Sequence, residues 1–124
     1  MAFAPEAIRE RFLKSAPFKA LTKSTITSAK GLEREFEAIR RRGYSEDNQE
    51  FLPGVCCLAV PVRNGAGDAV AGLALMAPAI SFSLAKARQH LPELRSCADA
   101  ISAEYGWHLA NARGRARTPA RRQR

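Results

Sequence analysis

The sequence predicts an α+β domain: an antiparallel sheet, centred on a hairpin over residues 55–76, packed by helices. Three observations carry this. Leu32, Phe36 and Ile39 repeat at helical spacing in a charged segment that Gly43 stops. Two runs of small and β-branched residues, Val55 to Val62 and Ala69 to Met76, flank the turn Asn64-Gly65-Ala66-Gly67. Leu91, Leu94, Ala98, Ile101 and Tyr105 then form an apolar stripe on a last helix.

Taken in order, Pro5 to about Lys14 reads as a helix. Pro5 suits its first position, and Ile8, Phe12 and Leu13 place apolar groups on one side. Residues 15–27 form a connection holding Pro17 and several Ser and Thr residues. Ser28 is the expected N-cap of the helix from Ala29 to Arg42. Tyr44 to Asp47 offers a short third strand. Pro53-Gly54 turns the chain into the first hairpin strand, and Pro78 ends the second. Ser81 or Ser83 caps a helix from Leu84, and Pro92 is either a kink or the first turn of a new helix. Gly106 is the expected stop.

A chain of 124 residues is one small domain at most. No run is long and apolar enough to span a membrane, and Met1 to Pro5 shows no charged-then-apolar leader pattern. The cytoplasm is the expected compartment. Three cysteines, two of them adjacent, do not make a disulfide framework, so reduced thiols are expected. The net charge of +8 is mostly a tail effect. Six arginines and no acid lie between Arg113 and Arg124, and the rest holds 14 basic against 12 acidic residues. The sequence therefore divides into a domain over 1–106 and a basic, disordered tail over 107–124. The tail lacks aromatic residues for stacking on bases from Arg113 onward, so only weak, nonspecific attraction to DNA is expected of it.

The stretch from Arg40 to Val62, RRRGYSEDNQEFLPGVCCLAVPV, is the most specific in the chain. It ends a helix at Gly43-Tyr44, passes through Asp47-Asn48-Gln49-Glu50, and enters Gly54-Val55-Cys56-Cys57-Leu58-Ala59-Val60-Pro61-Val62. This string resembles the effector-binding domain of IclR-type bacterial transcription regulators. In that family an acid-rich segment precedes a glycine, a spaced cysteine and an alanine-x-proline strand. The resemblance implies a GAF/profilin-like domain that senses a small molecule and is not an enzyme. It covers about Ala2 to Tyr105, roughly the second half of a family effector domain. It also implies that several strands and a winged helix-turn-helix lie outside these 124 residues. Expected partners are therefore further copies of the chain or full-length homologues, with DNA reached through them.

Side chains alternate along a strand. Cys57, Ala59 and Pro61 share one face of the first strand, and Cys56, Leu58, Val60 and Val62 the other. In the second strand Gly72, Ala74 and Met76 lie opposite Ala71, Leu73 and Leu75. The bulky face suits the helices. The small face leaves volume either for a ligand or for close packing of another element. The resemblance implies the former, with Asp47, Cys57, Ala74 and Met76 touching the effector and Val55 beside them. Several family members that bind small polar acids carry hydroxyl residues where this chain has Ala74 and Met76. A less polar carboxylic acid, aromatic or longer-chain, is expected here, with its acid end near backbone N–H groups around residues 55–57.

Other signals carry less. Cys56 and Cys57 point to opposite faces and, with only His90 and His108 elsewhere, match no zinc spacing. Cys57 has no evident histidine base. His90 reads as a helix-end residue. Asp47 and Glu50 read as a solvated acidic loop. The Gly65-Ala66-Gly67 turn opens no helix and is no phosphate loop. No cofactor is expected. The rival reading is a small basic accessory protein that docks through its arginine tail.

Overall fold

A computed structural model describes residues 1–107. The tail expected from the sequence lies outside the described residues, except for Trp107. Seven elements follow in the order α1 (Glu6–Leu13), α2 (Ala29–Arg42), β1 (Ser45–Asn48), β2 (Val55–Arg63), β3 (Ala69–Pro78), α3 (Leu84–Gln89) and α4 (Leu91–Glu104). The strands form one antiparallel sheet in the order β1-β2-β3.

Local chemistry sets the boundaries. The Ser28 hydroxyl accepts the Gly31 N–H at 3.1 Å and caps α2. Gly43 ends α2 at φ 78°, and its N–H returns to the Ile39 carbonyl at 2.7 Å. Ser83 caps α3, and Pro92 lies in the first turn of α4, so it starts a helix rather than kinking one. Pro5 is the N-cap of α1, one position before the place expected. The Asn64 carboxamide oxygen accepts the Ala66 and Asp68 N–H groups, each at 3.0 Å, and holds the hairpin turn.

β2 alternates strictly. Cys56, Leu58, Val60 and Val62 are buried, with half-buried residues between them. α3 and α4 pack on this bulky face. Val60, Val62 and Ala98 form a cluster there with Leu73, Leu91 and Leu94 against it. A second cluster joins Ala2, Phe36 and Ile39, with Phe3, Phe12, Leu13 and Leu32 around them. The Arg63 guanidinium lies 4.8 Å over the Phe3 ring, which brings the N-terminal segment to the hairpin end of the sheet.

The last helix corrects the expected stripe. Ala98 and Ser102 are its buried residues, whereas Ile101 is 39% and Tyr105 60% exposed. The reason is polar. The sheet register slips between Val62 and Arg63. The Arg63 N–H then donates to the Ser102 hydroxyl at 2.9 Å, and that hydroxyl donates to the Ala98 carbonyl at 2.6 Å. A buried backbone donor needs a partner, and Ser102 rather than Ile101 supplies it. Past α4, the Gly65 N–H donates to the Tyr105 carbonyl at 2.9 Å. Trp107 is half-buried, and a Cβ on Gly67 would lie 3.1 Å from its ring.

Candidate functional site

The register assembles the candidate residues. Asp47 pairs with Cys57, and Cys57 with Met76, so the three form one cross-strand row. Ser45, Ala59 and Ala74 form the next row, and Pro61 and Gly72 the one after. Val55 sits at the far end, opposite Pro78. Since alternate residues share a face, Asp47, Val55, Cys57, Ala74 and Met76 all lie on the small-residue face, away from α3 and α4. This face is open here. Met76 is 65% exposed, Ala74 is exposed, and Asp47, Val55 and Cys57 are half-buried.

The acidic segment is braced. The Asp47 carboxylate accepts the Glu50 N–H at 2.6 Å. Gln49 takes a left-handed φ of 61°, its N–H donates to the Val55 carbonyl at 3.1 Å, and its side-chain oxygen accepts the Gly54 N–H at 3.0 Å. The Thr22 hydroxyl donates to the Gln49 carbonyl at 2.7 Å, and the Thr25 hydroxyl to the Glu50 carbonyl at 2.5 Å. Thr25 also accepts the Leu21 and Thr22 N–H groups. Sequence reasoning missed both threonines. Their one signal is the spacing of three between Thr22 and Thr25 inside a Ser- and Thr-rich connection, which suits a local hydroxyl turn.

Burial pushes the Cys57 thiol above its ordinary value, and the nearby Asp47 and Cys56 add to the shift. The shift favours the neutral thiol, a weak hydrogen-bond donor. Burial also raises Glu50, with Asp47 and Glu35 adding to it. On the opposite face, Glu46 makes a two-point pair with Arg88, at 2.6 and 2.9 Å, which lowers its carboxyl and ties β1 to α3. Among the described residues, no group of three or more His, Cys, Asp or Glu is placed to hold a metal ion. His90 is exposed between α3 and α4, its ring 5.8 Å from Phe82.

One expectation fails on geometry. The N–H groups around residues 55–57 are not free for an acid group. Val55 donates to the Leu52 carbonyl at 3.2 Å, and Cys56 and Cys57 are flanked by paired strands on both sides. A cavity of about 410 Å³ does lie along the same face, but towards the hairpin end. Met1 to Ala4, Phe36, Ile39, Ala59, Pro61 and Gly72 border it, and none of the five candidate residues does.

The sheet, its helices and the acidic-to-cysteine segment can be compared with known proteins. Residues 1–103 match the family described as the bacterial transcriptional regulator IclR C-terminal domain. The chain belongs to the IclR C-terminal family. It is 35% identical over 99 residues to the HTH-type transcriptional regulator KdgR of Escherichia coli, covering 80% of this chain and 38% of that protein. It is 36% identical over 103 residues to KdgR of Dickeya chrysanthemi, covering 83% and 33%. The chain thus spans less than half the length of these curated relatives. The relatives are regulators and not enzymes.

Solved IclR structures agree. The C-terminal domain of the Escherichia coli KdgR superposes with a TM-score of 0.78 at 33% identity, covering 86% of this chain and 65% of that one. The Thermotoga maritima IclR gives 0.79 at 37% identity, covering 86% and 43%. The inducer-binding domain of an Acinetobacter PobR double mutant, solved with 3-hydroxybenzoic acid, gives 0.71 at 28% identity, covering 82% and 58%. The fold is therefore that of the IclR C-terminal effector-binding domain.

Proposed function

We propose that this chain is the sensing part of an IclR-type regulator and that it responds to a carboxylic acid with an apolar body. The observation that carries this is the row Asp47–Cys57–Met76, with Ala74 beside it, on the face away from α3 and α4. Ala74 and Met76 offer apolar surface and no hydroxyl. The neutral Cys57 thiol is a weak hydrogen-bond donor on that face. The aromatic acid in the PobR domain supports the ligand class. Burying an aromatic body over Ala74 and Met76 would contribute roughly 1.5–3 kcal/mol. In this reading an attached or partner-supplied DNA-binding module carries the response to an operator.

The test is a thermal-melting series with aromatic acids, pyruvate and glyoxylate. Aromatic acids should raise the melting temperature more than the short acids. Ala74→Ser with Met76→Ser should move the preference towards the short acids, and Cys57→Trp should remove the response. The same residues grafted into a complete homologous domain repeat the series with the rest of the sheet in place. Equal shifts for all acids in the graft, before and after the serine pair, would sink the proposal.

A further inference from the structure

A crevice of about 210 Å³ opens where the end of α2 meets β2 and α4. Arg63, Arg95, Asp99 and Trp107 border it, with the buried Val60 and Ala98 behind them. On β2 its residues lie beyond Ala59, the last to pair with β1, and no residue of β3 borders it. Both arginines are held in place without an acid. The Arg63 Nη1–H donates to the Gly67 carbonyl at 2.8 Å, and the guanidinium lies over the Phe3 ring. The Arg95 Nη2–H donates to the Arg42 carbonyl at 2.8 Å, and its guanidinium lies 5.7 Å over the Tyr44 ring. The ion pairs among the described residues use Arg42 and Arg88 instead. A carbonyl and a ring face orient a guanidinium but do not cancel its charge. Each guanidinium has five N–H donors, so several remain for a ligand.

We infer that this crevice binds a small monocarboxylate with an apolar body. A planar guanidinium matches the two oxygens of a carboxylate. Val60, Pro61, Ala98 and Trp107 give the body an apolar seat. Asp99 selects for a single charge. It borders the same space, four residues after Arg95 on α4, and makes no ion pair among the described residues. A dianion would lose to that repulsion part of what the arginines give. The volume lies below the roughly 300–1,000 Å³ of drug-sized sites, so the ligand is one ring or smaller. Crevice and candidate row Asp47–Cys57–Met76 have no residue in common, so the two sites stand or fall separately.

The test is an amide-resolved NMR titration of the full chain with benzoate at constant ionic strength, with acetate and inorganic phosphate alongside. Benzoate should move the signals of Gly43, Arg63 and Asp99 together on one binding curve. Signals of Cys57, Ala74 and Met76 read the effector face on their own curve. Acetate and phosphate should each bind the crevice about tenfold more weakly. Arg95→Gln, at an exposed position, should raise the benzoate dissociation constant about tenfold. Arg41→Gln makes the same charge change at an exposed α2 residue outside the crevice and should leave it unaltered. Asp99→Asn should tighten binding, and it carries this arm if Arg95→Gln unfolds. Deleting residues 113–124 should change nothing. Unmoved signals at Gly43, Arg63 and Asp99 in millimolar benzoate would overturn the inference. So would tighter binding of phosphate, equal losses from Arg95→Gln and Arg41→Gln, no gain from Asp99→Asn, or binding that leaves with the tail.

Discussion

Glu50 works against the fold at neutral pH. Burial, with Asp47 and Glu35 nearby, raises its carboxyl above the ordinary range. The unfolded chain therefore loses this proton at lower pH than the folded chain, and stability falls as pH rises through that window. Glu50→Gln should raise the urea midpoint at neutral pH and do nothing below the ordinary carboxylate range. An equal gain at both pH values would contradict it. Glu46 has the opposite sign. Its bond to Arg88 lowers it, so its contribution stands at neutral pH and fades as pH falls through the folded value. The pair is partly exposed, so salt should weaken it. Ser102 is the other residue with a measurable role. Removing its hydroxyl leaves the Arg63 N–H unpartnered at the register slip. Ser102→Ala should cost about 1–3 kcal/mol in chemical denaturation.

At the scale of elements, Gly43 is the clearest hinge between sequence and structure. Its φ of 78° is open to glycine at no steric cost, so Gly43→Ala should lower stability by about 1 kcal/mol, read as a shift in the urea midpoint at unchanged slope. The helix it ends was legible because periodicity, a serine cap and a glycine stop all agreed. β1 was legible within a residue, as Ser45–Asn48 against an expected Tyr44 to Asp47. Pro61 would argue against a central strand. It fits because β1 pairs only as far as Ala59, which leaves β2 with one free side at Pro61. The stripe on α4 was misread because hydropathy alone favours Ile101. The helix is instead aligned by a hydrogen bond from a strand 39 residues away.

At the scale of the molecule, strand alternation placed Cys57, Ala74 and Met76 on the small-residue faces, because the period of two needs no tertiary knowledge, whereas Asp47 and Val55 were named through the family resemblance. The bracing of that face was not legible. Thr22 meets Gln49 across 27 residues, and only the fold brings them together. The cavity beside Phe36 and Ala59 was equally hidden, since it depends on where the N-terminal segment crosses the sheet. Towards DNA, the 124-residue chain should show no preferred site, because no helix among the described residues presents a basic, groove-reading surface after a turn. Any gel shift should arise from the six arginines beyond residue 112, and it should vanish on raising salt or on deleting residues 113–124. A defined footprint at physiological salt that survives the deletion would refute this.

The contact between Trp107 and Gly67 has an optical consequence. This is the sole tryptophan of the sequence, and it rests on the turn that joins β2 to β3, just past the end of α4. Its indole therefore senses one event, the docking of the helix end on the hairpin tip. Emission should shift to the red when that contact opens, even while both helix and hairpin persist. Fluorescence and circular dichroism followed together through one denaturant titration would then show whether the closing of the chain onto its turn is a separate, earlier step of unfolding.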